Sequence, residues 1–274
     1  MRIAEWINVG ALLGLMLLAM LRPIPFRRKC ATILPGLCGL GLLSLVILLD
    51  SRNLSVQWAM PVSVMRDLLP LPLLMIVYWQ AGRLACGISP RFQQWALSVE
   101  RWWRRDESAR NHTPLRQWTG ELLELAYLSC YVMVPAAFIL CYSRHGSGSA
   151  EWFWSVVLAP TYFCYLLVPF FPHDPPRVAD AGRPEPSASR VRQLNLWILE
   201  RGSIGVNTFP SAHVASSVAA ALAILPLDPR MGAALLLVAL GIAVAVVARR
   251  YHYTVDSFGG VAAAVAAFLY NYLT

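Results

Sequence analysis

The chain alternates long apolar runs with short polar or proline-rich connections. A membrane-crossing helix needs about 20 mainly apolar residues, with a range of roughly 17 to 25. By that measure eight stretches qualify: residues 3–21, 31–49, 67–85, 119–140, 152–171, 209–226, 231–248 and 254–273. The third is interrupted near its start by Pro70 and Pro72, and the fifth carries Pro160 and Pro169, which predicts a kink. Such prolines are tolerated in a membrane bundle because neighbouring helices satisfy the carbonyls they free. The expected fold is all-α, a polytopic membrane helix bundle.

Two connections are long. In residues 86–118, Phe92, Trp95, Val99 and Trp102 recur at steps that share one helical face, with Arg101, Arg104 and Arg105 elsewhere. This predicts an amphipathic helix in the membrane interface; the alternative is a solvent-facing helix with its aromatics tucked against the bundle. Residues 172–208 hold Pro172, Pro175, Pro176, Pro184 and Pro186, then an apolar segment around Leu194–Leu199. A loop of that length just before Pro210 reads as a functional lid. Small residues four apart, Gly10/Gly14 and Ala212/Ser216, favour close helix packing.

Composition agrees with this pattern, since 57% hydrophobic and 14% charged residues exclude an ordinary soluble domain. The net charge of +8 raises the question of nucleic acid. The arginines, however, lie in short blocks between apolar runs, where contact with anionic lipid accounts for them, and no nucleic-acid partner is expected. The six cysteines show no C-x-x-C spacing, so neither a zinc site nor a disulfide framework is expected. Arg2 precedes the first apolar run, but Glu5 interrupts its first turn and no A-x-A-like cleavage site precedes Arg22-Pro23. The run therefore reads as a retained span. Eight spans place the loops at 22–30, 83–118, 172–208 and 249–253 on one face, which holds 18 Lys and Arg against 5 on the other. Leaving out the last two loops still gives 11 against 5. The richer face is expected to be cytoplasmic.

Chemistry-bearing residues gather at two helix starts on that face. In Asn207-Thr208-Phe209-Pro210-Ser211-Ala212-His213, Thr208 reads as an N-cap and Pro210 as a first-turn residue. Ser211 and His213 would then stand at a positive helix end suited to an anion. His252 and Asp256 are four apart and face the same way once the last helix begins near Tyr253. A carboxylate bonded to one imidazole nitrogen fixes the tautomer and leaves the other nitrogen free to attack. The blander readings are an interfacial histidine at 213 and a capping ion pair at 256. Arg249 and Arg250 precede the second cluster, and Arg177 follows the fifth span; a guanidinium suits a bidentate grip on phosphate, or simply contact with lipid headgroups. Ionisable groups converging at one membrane depth are functional by default, and these point to a phosphate-handling site. Two alternatives stand beside it. One is a metal-dependent hydrolase built on His173, Asp174, His213, His252 and Asp256, and the other is a protein that binds or moves a lipid phosphate without cleaving it.

Phe209-Pro210-Ser211-Ala212-His213 resembles the P-S-x-H motif of the type 2 phosphatidic acid phosphatase superfamily, and His252-Tyr253-Thr254-Val255-Asp256 resembles its H-x-x-x-D motif. The resemblance covers roughly residues 65–274 and implies a six-helix catalytic core, preceded by about two transmembrane helices in residues 1–64. It implies a two-step transfer: His252, held by Asp256, attacks phosphorus, and His213 protonates the departing lipid alkoxide and then activates water or an acceptor hydroxyl. Ser211, Arg177, Arg249 and Arg250 would hold the phosphate oxygens, with no metal and no other cofactor. The partner implied is a phospholipid or polyprenyl phosphate. Two positions depart from the pattern. The usual K-x6-R-P motif is replaced by Pro175-Pro176-Arg177 and a later Arg183-Pro184, and Val246 stands where an arginine six before the histidine is usual. The variant is similar to the branch holding inositol phosphorylceramide and sphingomyelin synthases, which leaves open whether the acceptor is water or a lipid alcohol.

Overall fold

The apolar runs become helices in the computed structural model of the chain, which describes residues 1–52, 56–103, 117–179 and 189–274. In chain order these are α1 (Ile3–Leu21), α2 (Phe26–Asp50), α3 (Val56–Leu68), α4 (Pro70–Leu84), α5 (Pro90–Trp103), α6 (Gln117–His145), α7 (Gly148–Leu167), α8 (Pro176–Ala179), α9 (Arg190–Gly202), α10 (Ala212–Ile224), α11 (Pro229–Ala248) and α12 (Thr254–Leu273). Among the described residues the sole β-type pairing is an isolated antiparallel bridge between His173 and Asn207. The protein is an all-α, polytopic membrane helix bundle. Among the described residues five segments are long and apolar enough to cross a bilayer: Ile3–Leu21, Phe26–Asp50, Trp58–Leu84, Trp118–His145 and Pro229–Ala248.

Several expected boundaries move. The stretch expected at 67–85 starts earlier, because α3 runs into α4 across Leu69 and Pro70 takes the first position of the new helix, where its missing N–H costs nothing. Of the eight expected spans, α7 and α12 are each 20 residues long but carry a more polar mix, and α10 has 13 residues. Pro160 lies inside α7, whereas Pro169 falls beyond its end. Gly10 has nothing near where a Cβ would stand, so the Gly10/Gly14 pair marks no tight contact.

The close packing is instead at α10. Most of its residues are buried, including Val214, Ala215, Ala219, Ala220 and Ala221, and it lies among α6, α7, α11 and α12. Small side chains let these backbones approach, which matters because lipid offers no hydrophobic drive for helix association. At Gly260 a Cβ would stand 2.6 Å from the Ser211 carbonyl oxygen, so only glycine allows α12 to meet the start of α10. α1 and α2 pack on α4, and α1 also packs on α7.

The two long connections both carry helices on the site side. The inward face of α5 is Gln93, Ala96 and Glu100 rather than the aromatic row, while Trp95, Trp102 and Trp103 are exposed. Phe92 packs against the rings of Phe171, His173 and Phe209, so it braces the loops. In the second connection, α9 exposes Leu194 and Trp197 and buries Arg192 and Asn195. Arg104 and Arg105 of the first connection, and Arg183, Pro184 and Pro186 of the second, lie outside the described residues.

Candidate active site

Asp256 is the third residue of α12, and its carboxylate accepts the Tyr253 N–H at 3.0 Å, so helix capping fixes the side chain. The same oxygen, Oδ2, meets His252 Nδ1 at 3.2 Å and His173 Nε2 at 3.1 Å. Asp256 Oδ1 is buried without a hydrogen-bond partner among the described residues. A carboxylate only accepts, so His252 carries its proton on Nδ1 and keeps the Nε2 lone pair. The turn before it is set by Arg250, whose φ of 63° reverses the chain after α11 and lets the Tyr251 and His252 N–H groups both bond the Val246 carbonyl at 2.8 Å. That position usually takes glycine.

His213 is in the first turn of α10 and faces His252, with ring centroids 6.1 Å apart. Its Nδ1 lies 3.6 Å from Cys130 Sγ, and the rings of Tyr127 and Tyr131 stand edge-on to it. The helix starts later than its prolines suggest: Ser211 is the N-cap residue, the Phe209–Pro210 peptide is cis, and Thr208 Oγ1 accepts the Ala212 N–H at 3.3 Å. Between the two histidines opens a cavity of about 180 Å³. Its walls include His213, His252, Arg177, Asn207 and Thr208, with Tyr78, Tyr165 and Leu199.

The expected arginine shell separates. Arg177 lines the cavity, with its guanidinium 5.4 Å from the centre of the Tyr251 ring and its N–H on the Arg250 carbonyl. Arg249 points away, into a buried carboxylate: its Nε donates to Glu124 at 2.5 Å. Glu124 also accepts from Arg192 at 3.0 Å, Asn195 at 2.8 Å and the Tyr251 hydroxyl at 2.7 Å. Arg250 Nη2 donates to the Pro176 carbonyl at 2.8 Å. Neither Arg249 nor Arg250 is part of the cavity wall. Ser211 is fully buried behind the wall, and its Oγ has no hydrogen-bond partner among the described residues.

Electrostatics divides the two histidines that share Asp256. Burial disfavours both cations, but for His173 the bond to Asp256 and its charge outweigh burial and raise the pKa above the ordinary histidine value. For His252 burial prevails, and the nearby His173 and Arg177 charges add to it, so its pKa is lowered. His252 is therefore neutral at neutral pH. Among the described residues no group of three or more His, Cys, Asp or Glu side chains is arranged to hold a metal ion. The set His173, Asp174, His213, His252 and Asp256 is instead divided, with two imidazoles bonded to one carboxylate oxygen.

Glu124 escapes sequence reasoning, and His173 enters it only as a candidate metal ligand. His173 is tied to Asp256 across 83 residues, and no spacing announces that pair. Glu124 shares the apolar run 119–140 with one other acid, Glu121, and no basic residue, and an acid at membrane depth is the one signal that could have marked it.

The PAP2 superfamily sequence profile matches residues 94–270. No curated protein and no solved structure matches the chain.

Proposed function

The chain belongs to the PAP2 superfamily, a family of lipid-phosphate-handling enzymes, and from that premise we propose that it cleaves a lipid phosphate ester through a phosphohistidine on His252. The observation that carries this reading is the pair of facing histidines across one cavity, with Asp256 behind the first and Arg177 at the wall. His252 Nε2 attacks phosphorus in line, forming the N–P bond as the bond to the lipid oxygen breaks. His213 supplies the proton that the departing alkoxide takes. A phosphate entering between the rings favours the imidazolium form that His213 needs for this step. In the second half, His213 removes a proton from water, whose oxygen displaces His252 and releases phosphate. Arg177 neutralises charge on the equatorial oxygens. Arg249 and Arg250 act at one remove, by holding the loop that carries Tyr251 and His252.

The catalytic core is the six-helix unit of residues 65–274, with residues 1–64 adding N-terminal transmembrane helices, and the site faces the cytoplasm. A second reading is headgroup transfer in the manner of inositol phosphorylceramide synthases, where a lipid hydroxyl replaces water. The departure at Val246, where the superfamily pattern usually has an arginine, favours it.

The test uses purified protein in mixed micelles with phosphatidate, phosphatidylglycerol phosphate, polyprenyl diphosphate or phosphatidylinositol, each with and without ceramide or diacylglycerol. Release of inorganic phosphate is the expected result. Label passing mainly to a lipid alcohol establishes transfer instead, and binding without any cleavage sinks both. For orientation, a cysteine placed at Ser187 is expected to react with an impermeant reagent only in inside-out vesicles. Labelling from outside intact cells reverses the assignment.

A further inference from the structure

His173 has no part in the two-histidine scheme, yet it is wholly buried and bonded at both ring nitrogens. Its Nδ1 lies 3.0 Å from the Phe171 carbonyl oxygen, which can only accept, so Nδ1 carries a proton. Its Nε2 lies 3.1 Å from Asp256 Oδ2, which as a carboxylate also only accepts. A neutral imidazole has one N–H and cannot satisfy both acceptors. The arrangement is complete when both nitrogens donate, that is, when His173 is an imidazolium. The ring is also held mechanically. Its backbone carbonyl accepts the Asn207 N–H at 2.8 Å, tying it to the segment that leads into α10, and the rings of Phe92 and Tyr253 lie against it.

Asp256 Oδ2 is thus shared between a fixed cation and the nucleophile. We propose that His173 is a positioning residue: clamped between the Phe171 carbonyl and Asp256, it orients the carboxylate and withholds part of its charge from His252, which keeps that ring neutral and ready to attack. The assignment of His252 as nucleophile rests on the reading above; the sharing of Asp256 by His173 and His252 does not. The raised pKa of His173 and the lowered pKa of His252 agree with this division. Among the described residues, the other charged or titratable groups around the pair and its carboxylate include Cys164 from α7, Asp174 from the same loop, Arg177 from α8, His213 from α10 and Tyr253 at the start of α12.

The experiment is nitrogen NMR of the full chain, labelled at its five histidines and held in lipid nanodiscs, followed across pH 5 to 9 in wild type, H173Q and H252Q, alongside pH–rate profiles. In wild type, His173 is expected to show both nitrogens protonated at pH 7 and to lose its proton above the ordinary histidine range. Glutamine at 173 can still donate to Asp256 but carries no charge, so in H173Q the His252 titration is expected to move up by about half a unit or more. The acid limb of the rate profile is expected to follow it. A residue that merely fills space would lower the rate without moving either titration. A His173 that is neutral at pH 7 in wild type overturns the proposal without recourse to any variant, and so does an unmoved His252 titration in folded H173Q. Should no lipid phosphate be cleaved, the functional reading fails while the NMR arm still decides the role of His173.

Discussion

Two carboxylates on the same side of this bundle are equally buried and do opposite things. Glu124 and Asp256 both have no exposed surface, and each draws several donors. Around Glu124 the donors are Arg192 and Arg249, with Asn195 and the Tyr251 hydroxyl. Arginine stays charged at every accessible pH, so this knot joins α6, α9 and the loop after α11 with charges that never change. Around Asp256 the side-chain donors are His173 and His252, whose charges do change near neutrality. The same burial therefore yields a fixed joint in one place and a responsive one in the other, and the donor type decides which.

The comparison can be broken at several points. H252A removes the proposed nucleophile, and turnover is expected to fall by more than about a thousandfold, measured as phosphate release, with the fold intact. Activity within tenfold of wild type would remove His252 from that role. D256N keeps the shape but offers an amide that can present N–H to the imidazole, so a loss of about 10²- to 10⁴-fold in kcat is expected. Glu124 answers differently. E124Q leaves Arg192 and Arg249 buried against a neutral group, and a stability loss of about 3–5 kcal/mol is expected as a lower melting temperature in detergent. The pH–rate profile of the protein that remains folded should keep its wild-type shape. A shifted profile with normal stability would reverse the contrast.

A smaller effect is read from pH alone. His252 acts when neutral in the proposed scheme and its pKa is lowered, so the acid limb of the rate profile that it sets is expected to fall only below the ordinary histidine value of about 6.5. His173 contributes in the other sense. Its folded pKa is raised, so its contribution to stability is present below about 6.5 and is lost as pH rises through the folded value. Melting curves from pH 6 to 9 test this, and H173Q should flatten the decline. Least of all, R144A breaks an exposed pair with Asp228 at the far end, where Arg144 is 57% exposed, and no measurable change in melting temperature is expected.

The sequence was most legible where structure is local. His252 and Asp256 are one helical turn apart, so their meeting needed only a helix start near Tyr253, and Asp256 itself caps that start. His213 was legible for the same reason, although Thr208 holds the helix from outside and Ser211 occupies the cap position. What could not be read is which distant groups meet. Arg177, Arg249 and Arg250 look alike as juxtamembrane arginines, and only the fold shows that Glu124, 125 residues before Arg249, engages it while Arg177 reaches the cavity. α5 shows a similar limit. Its aromatic periodicity was correct as a pattern, but the polar Gln93 and Glu100 turn inward, because Tyr253, Asp174 and Thr254 need partners.

The shortness of α10 has a consequence for the solvent in which this chemistry is set. Thirteen residues at 1.5 Å each make a helix of about 20 Å, against an apolar layer of about 30 Å. In the proposed core, the remaining depth on the site side is crossed by residues 203–211, whose backbone is not helical and would be intolerable in hydrocarbon if left unpaired. Part of it is paired by the site itself: Ile204 N–H on the Tyr78 hydroxyl, Asn207 N–H on the His173 carbonyl, Ser211 N–H on the Asp256 carbonyl. In the proposed core these contacts also insulate an irregular stretch of chain below the membrane surface, so loosening them would wet the bilayer around it.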